Sequence, residues 1–169
     1  MELTIRPIQL KDATDIHRIA MQEDVFPYLV FLPSMRIDMM ENRIKNLSAT
    51  QYEFVAEHNG NVVGWIGLVQ GQARRSHVGD MYIAVDSSFH NNGIGSALLT
   101  KIINLADNWL LLERVDLTVL HINPKAKALY EKFGFVEEGR KKGSLKTNGT
   151  FADEIVMGRL RPNGLLQRI

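Results

Sequence analysis

The sequence predicts an α/β chain, of the α+β kind, whose central sheet mixes antiparallel hairpins with one parallel strand pair. Three observations carry this expectation. Residues 80–99, DMYIAVDSSFHNNGIGSALL, read as an apolar strand, a glycine turn and the start of an amphipathic helix, and residues 115–120 then return as a strand. Strand, helix, strand in that order is a right-handed crossover, so its two strands are parallel. Strand-like runs at 52–57 and 62–69 meet through Asn59-Gly60, the strongest short hairpin signal, and a last pair at 135–138 and 151–160 flanks Asn148-Gly149.

The other elements follow in order. Residues 3–8 alternate as a strand, and Asp12 with Asp15 marks the start of a helix over 13–23 whose apolar positions Ile16, Ile19 and Ala20 share a face. The segment VFPYLVFLP at 25–33 is apolar and aromatic, yet its prolines, Pro27 and Pro33, disfavour a regular element inside it. It reads as a loop tucked onto the core or as one wall of an apolar pocket. Ser34 then caps a helix over 35–47. Gly64 and Gly67 inside a strand point to bends or to close approach of another backbone. The helix after the glycine turn carries Ile94, Leu98, Leu99, Ile102, Ile103, Ala106 and Leu110 on one stripe and ends near Leu111. Asn123-Pro124 opens a helix, with Asn as cap and Pro at the first position, and Gly134 ends it. The tail 161–169 is left open between disorder and covering a neighbouring subunit.

Bulk properties bound the function. The 169 residues are 45% hydrophobic and 23% charged, which fits a single folded domain over 1–169 with a core of its own. A net charge of +1 makes no case for nucleic acid or an anionic membrane surface. Arg140, Lys141 and Lys142 cluster, and read as a solvated strand end or turn. The absence of cysteine excludes thiolate nucleophiles, Cys-ligated metals and disulfides. The five histidines show no metal-ligand spacing, so no metal is expected. The first residues, MELTIRPIQL, have neither a basic region nor a long apolar run, and no stretch reaches membrane-spanning length. A cytoplasmic protein is expected, in which the sequons at Asn46 and Asn148 are chance matches.

The glycine turn is the chemical centre. A strand that feeds a glycine turn and then a helix leaves several N–H groups unpaired, with the positive end of the helix dipole behind them. That is an anion cradle, or else simply a tight turn where the helix packs close to the sheet. A dinucleotide fingerprint does not fit, because Leu98 occupies the third small position and the turn follows the fourth strand rather than the first. A phosphate-binding P-loop lacks its Gly-Lys-Ser or Gly-Lys-Thr.

The element order resembles the GNAT N-acetyltransferase family, over 3–160. The resemblance is most specific in YIAVDSSFHNNGIGSALL and in LTVLHINPKAKALYEKFGFVEEG. RRSHVGDMYIAV and DNWL further resemble the bacterial branch that acetylates free L-amino acids. The resemblance implies the GNAT fold, with the parallel strand pair splayed, and acetyl-CoA as co-substrate. It also implies a homodimer and a small-molecule amine as acceptor. By this resemblance His90, Asn91, Asn92, Gly93, Ile94, Gly95 and Ser96 hold the pyrophosphate, and Ile83, Ala84 and Val85 pair with the pantetheine arm. Asn123, Lys125 and Ala126 complete the coenzyme site. The family's usual loop cation is His90 here, so phosphate binding rests on backbone N–H groups and the helix terminus.

Tyr130 matches the family's general acid. It lies seven residues after Asn123, about two helical turns, so both fall on nearly one face. A thiol resembling cysteine, with pKa about 8.5, against about 10 for tyrosine leaves a gap that costs ~2 kcal/mol for full proton transfer. The acceptor amine must lose a proton, and Asp80 is the candidate base, with His77 and His121 as alternatives. With no thiol available, direct transfer in a ternary complex is expected. For the acceptor, Phe26, Tyr28 and Phe31 suit an apolar side chain, and Arg74 or Arg75 a free carboxylate. The competing readings are a polyamine, an aminoglycoside-like compound or a protein amine as acceptor, and a non-catalytic acetyl-CoA sensor. Glu23 and Asp24 are the acidic cluster a polycation would use.

Overall fold

The computed structural model describes residues 2–168. Seven strands, β1 Thr4–Pro7, β2 Gln51–His58, β3 Asn61–Gln70, β4 Val78–Val85, β5 Arg114–Leu120, β6 Val136–Thr147 and β7 Thr150–Leu160, hydrogen-bond in the order β1-β2-β3-β4-β5-β7-β6. Four helices accompany them, α1 Ala13–Ala20, α2 Ile37–Lys45, α3 Ile94–Asn104 and α4 Pro124–Lys132. β4 runs parallel to β5, while β1/β2, β5/β7 and β6/β7 are antiparallel, so the mixed sheet with a parallel pair is present. The parallel register covers Val78↔Arg114 to Asp80↔Asp116, although both strands run on beyond it. Contacts divide the chain into two compact units, one of Met1–Leu68 with Ile83–Ile102 and one of Val69–Tyr82 with Ile103–Ile169.

In the first unit, Asn59 and Gly60 both adopt positive φ, 50° and 78°, the backbone hand that matches strand twist in a two-residue hairpin. α1 buries Ile16, Ile19 and Ala20 completely. It ends at Ala20 rather than 23, because Val25 and Phe26 both donate to the Gln22 carbonyl and close a separate turn. Asp12 does not cap α1. Its carboxylate turns upstream to take the Arg6 guanidinium at 2.7 and 2.8 Å and the Gln9 amide at 2.8 Å. Ser34 likewise caps nothing: Met35 donates to Leu32 in a turn of its own, and α2 starts at Ile37 behind Arg36. A short 3-10 turn, Phe26–Tyr28, forms within the proline-bracketed segment. Gly64 is a true close approach, since a Cβ there stands 3.1 Å from the Ala84 carbonyl and 3.2 Å from Leu98 Cδ1, which lets α3 press onto β3.

In the second unit, β6 runs far past the expected 135–138, and Arg140, Lys141 and Lys142 lie inside it rather than at its end. Bulges between Glu137 and Gly139 and between Lys141 and Leu145 break its alternation, which is why the strand was hidden in the sequence. After Asn104 the backbone widens into a π-helical turn, Leu105–Trp109. Asp107 in that turn makes a bidentate pair with buried Arg159 of β7, at 2.9 and 2.8 Å. The tail is ordered onto its own chain: the Glu113 carboxylate pairs with Arg161 and accepts the Leu165 amide at the start of a 3-10 turn, Leu165–Arg168. Ile169 lies outside the described residues.

Candidate active site

The glycine turn belongs to the first unit. β4 ends at Val85, and Asp86 behind it is buried, 2% exposed. Asp86 caps the short turn Ser87–Phe89 by accepting the Ser88 amide at 3.0 Å. The Asp86 carboxylate also takes Gln22 at 2.9 Å and Arg18 at 2.5 Å. These partners hold its carboxyl below the usual carboxylate range, against the opposing effect of burial, which is the largest single influence. Asn91 and Gly93 follow with φ of 64° and 78°. Nothing crowds a Cβ at Gly93, so backbone conformation and not space asks for glycine there. The backbone N–H groups of residues 91–96 find no acceptor among the described residues. The donor set therefore fits a pyrophosphate: unpaired amides at the start of an eleven-residue helix with no acidic side chain in its first turn. His90 points elsewhere. Its Nε2 donates to the Val85 carbonyl at 3.0 Å, so the ring pins the turn to the strand end.

Tyr130 and Asn123 belong to the second unit. The Asn123 side-chain oxygen accepts the Ala126 amide at 3.2 Å and caps α4, with Pro124 at the first position as expected. Lys125 is exposed beside them. Two turns on, Tyr130 is only 7% exposed and meets Phe135 edge-on at 6.1 Å. The Arg159 guanidinium donates to the Phe133 carbonyl at 3.1 Å and so closes the end of the same helix. The Tyr130 hydroxyl has no partner in the protein among the described residues. Burial pushes its phenol above the ordinary tyrosine range. The group is thus held protonated at neutral pH, and the gap to a thiol is wider than for a free tyrosine.

Asp80 is exposed on β4 and faces Asp116 of β5 in the parallel register. Burial holds the Asp116 carboxyl above the usual carboxylate range; Arg114 opposes that rise and the neighbouring Asp80 charge adds to it. Arg114 Nε stands 2.5 Å from Asp116 Oδ1, and the same guanidinium crosses over Gly158 of β7 to Glu138 at 2.9 Å. Gly158 makes that crossing possible, because a Cβ there falls 2.4 Å from Arg114 Nη2. Among the alternative bases, His121 Nδ1 is taken by the Asp153 amide at 3.0 Å, while His77 is exposed.

Phe26 and Tyr28 lie on the 3-10 turn of the first unit and Phe31 just beyond it. Phe26 and Phe31 are half-buried and Tyr28 is exposed, beside Val30 and Leu32 at 75% and 72% exposure. Arg75 is exposed in the second unit, on the turn Ala73–Arg75, with no partner among the described residues. Gln22, Arg18 and Asp86 were not singled out from the sequence. Asp86-Ser87-Ser88 carries an Asx-turn signal that marks the aspartate, but nothing local marks Gln22. Among the described residues no group of three His, Asp or Glu is placed to hold a metal, and no helix is long and apolar enough to cross a membrane.

Comparison with known proteins bears on this arrangement. Residues 13–135 match the model of the acetyltransferase (GNAT) family, and the chain belongs to that family. It is an acetyl-CoA-dependent N-acetyltransferase. It is 35% identical over 161 residues to the L-amino acid N-acetyltransferase AaaT of Escherichia coli K12, covering 95% of this chain and 99% of the relative. It is 26% identical over 156 residues to spermidine N(1)-acetyltransferase of Vibrio cholerae, covering 90% and 89%. Among solved structures, a GNAT-family acetyltransferase from Streptococcus pneumoniae superposes with a TM-score of 0.82 at 30% identity, covering 94% of this chain and 99% of that one. Spermidine N-acetyltransferase of Vibrio cholerae, in complex with CoA and spermine, does so with a TM-score of 0.84 at 25% identity, covering 94% and 95%.

Proposed function

We propose that the chain transfers the acetyl group of acetyl-CoA directly to the amino group of a free L-amino acid with an apolar side chain. The observation that carries this reading is the 35% identity to an L-amino acid N-acetyltransferase over nearly the whole of both chains. The amides of residues 91–96 bind the pyrophosphate, and Ile83, Ala84 and Val85 offer backbone groups to the pantetheine. Asn123, Lys125 and Ala126 line the same arm. The acceptor's carboxylate takes Arg75, and its side chain takes Phe26, Tyr28 and Phe31.

In the reaction, Asp80 removes a proton from the acceptor's ammonium group, directly or through water. The free amine attacks the thioester carbonyl and forms the new C–N bond. The C–S bond then breaks, and the leaving thiolate takes a hydrogen bond and finally the proton from Tyr130; the second proton of the attacking nitrogen leaves through water and restores the tyrosine hydroxyl, and Asp80 releases its proton to solvent. Since burial raises the tyrosine above its free value, Tyr130 acts mainly as a hydrogen-bond donor to the developing thiolate, with proton transfer late. The whole chain acts as one acetyltransferase domain, cytoplasmic and homodimeric.

A second reading, a polyamine acceptor, is favoured by the Asp80, Asp116 and Glu138 carboxylates, of which Asp116 and Glu138 both pair with Arg114, and by the spermidine relative. Product analysis by mass spectrometry after incubation with acetyl-CoA and a mixed panel of L-amino acids, spermidine and peptides tests the choice. Acetylated amino acid supports the first reading, and acetylated spermidine alone replaces it with the second.

A further inference from the structure

We propose that Gln22 is a positioning residue of the coenzyme loop, holding it in the conformation that presents its free amides. This rests on the assignment of the amides of residues 91–96 to acetyl-CoA. Gln22 lies just past the end of α1, at the head of the turn that leads into the proline-bracketed segment. Its side-chain amide bonds in both directions. Nε2 donates to Asp86 Oδ1 at 2.9 Å, and Oε1 accepts the Ser87 amide at 2.9 Å. The same Asp86 oxygen takes the Ser88 amide at 3.0 Å, so both amides that follow Asp86 are fixed by this pair of side chains.

Anchoring continues on the other side of the carboxylate. Arg18, one turn earlier on α1, bonds Asp86 at 2.5 Å and the Val62 carbonyl at 3.0 Å, while Asp86's own amide reaches Val63 at 2.9 Å. The base of the loop is therefore tied to α1 and β3. Beyond Ser88 the ties thin out. His90 reaches back to Val85, Asn92 Nδ2 donates to the His90 carbonyl at 3.1 Å, and the amides of 91–96 have no partner among the described residues. Groups left free to meet a phosphate cannot fix their own directions, so they inherit them from the anchored residues before them. A loop already set in its bound shape binds without ordering cost, and that benefit is lost when the anchor goes.

Gln22 is suited to this by its chemistry. One primary amide supplies a donor for the carboxylate and an acceptor for the backbone. Glutamate of the same shape keeps the acceptor and loses the donor; methionine loses both. Neither Asp80 nor Tyr130 takes part in these contacts, so the effect falls on coenzyme affinity and not on the chemical step.

The test is calorimetric binding of CoA to the full chain, wild type, Gln22→Met and Gln22→Glu, with the thermal midpoint of each protein alone and kcat at saturating acetyl-CoA. The expected result is CoA binding weakened about tenfold in Gln22→Glu, the size of one lost charge-assisted hydrogen bond, and by at least as much in Gln22→Met, which loses both bonds, with kcat within about twofold of wild type. If Gln22→Met does not fold, Gln22→Glu, of matching shape, carries the comparison. Unchanged CoA affinity in a folded variant overturns the proposal, as does a fall in kcat equal to the loss of affinity. Wild-type protein that fails to bind CoA overturns the loop assignment beneath it.

Discussion

Asp80 and Asp116 stand opposite each other at the last register pair of the parallel ladder, with Arg114 against Asp116. The exposed member is the proposed base and the less exposed one is held above the usual carboxylate range. Asp80→Asn is predicted to lower kcat/KM by about 10²-fold near neutral pH, the usual size for loss of a general base. A loss below threefold across the pH profile removes Asp80 from the mechanism.

Asp116 makes the opposite kind of prediction. Its folded-state pKa is raised, so its contribution to stability is fully present below the unfolded value and is lost as pH rises through the folded one. At neutral pH the ionised carboxylate is a cost that Arg114 only partly offsets. Asp116→Asn is therefore predicted to leave the thermal midpoint at neutral pH unchanged or higher, and a large drop contradicts this.

Tyr130→Phe keeps the ring against Phe135 and removes a hydroxyl that has no partner among the described residues. Burying a hydroxyl without a partner is itself a cost, so stability should be unchanged or higher, while kcat falls by about 10²-fold. Equal activity in the two proteins, measured as thiol release from acetyl-CoA, sinks the acid.

Acid sensitivity follows from Asp12 and Asp86, both held below the usual carboxylate range by hydrogen bonds from Arg6 and from Arg18 and Gln22, in spite of burial. A depressed carboxyl contributes stability that is present above its unfolded pKa, about 3.9, and lost as pH falls through the folded value. Thermal midpoints should hold from pH 7 to about 5 and fall steeply below about 4. Asp12→Asn, which leaves Glu57 as the carboxylate paired with Arg6, should lower stability at pH 7 by on the order of 3 kcal/mol and flatten the acid limb.

Gly64→Val asks three more carbons to fit where even a Cβ is 3.1 Å from the Ala84 carbonyl. Overpacking of this kind costs about 2 kcal/mol, read as a lower urea midpoint with unchanged slope. A neutral result shows that α3 can shift without cost.

How much of this was legible in sequence depended on whether the cause was local. Asn59-Gly60, Asn123-Pro124 and the glycine turn formed as expected, because each rests on the conformational limits of a few adjacent residues. Asp12 and Ser34 failed as caps because the outcome was decided elsewhere: by Arg6 on β1 for one, and by the Leu32 turn for the other. β6 was read too short since its bulges and charged residues erase the period-two signal. At the site, spacing placed Tyr130 two turns after Asn123 and the glycines marked the turn, while the roles of both came from the family resemblance; Gln22 had no signal at all, its partners being 64 and 65 residues away.

The most direct measurement for the substrate is kcat/KM for an apolar L-amino acid against that for spermidine, taken on the wild-type protein by thiol release from acetyl-CoA. Transfer to the amino acid in preference by about 10²-fold or more, consistent with a site whose polar groups match a carboxylate, is the predicted result. Preference for spermidine, or no turnover with any free amino acid, contradicts it.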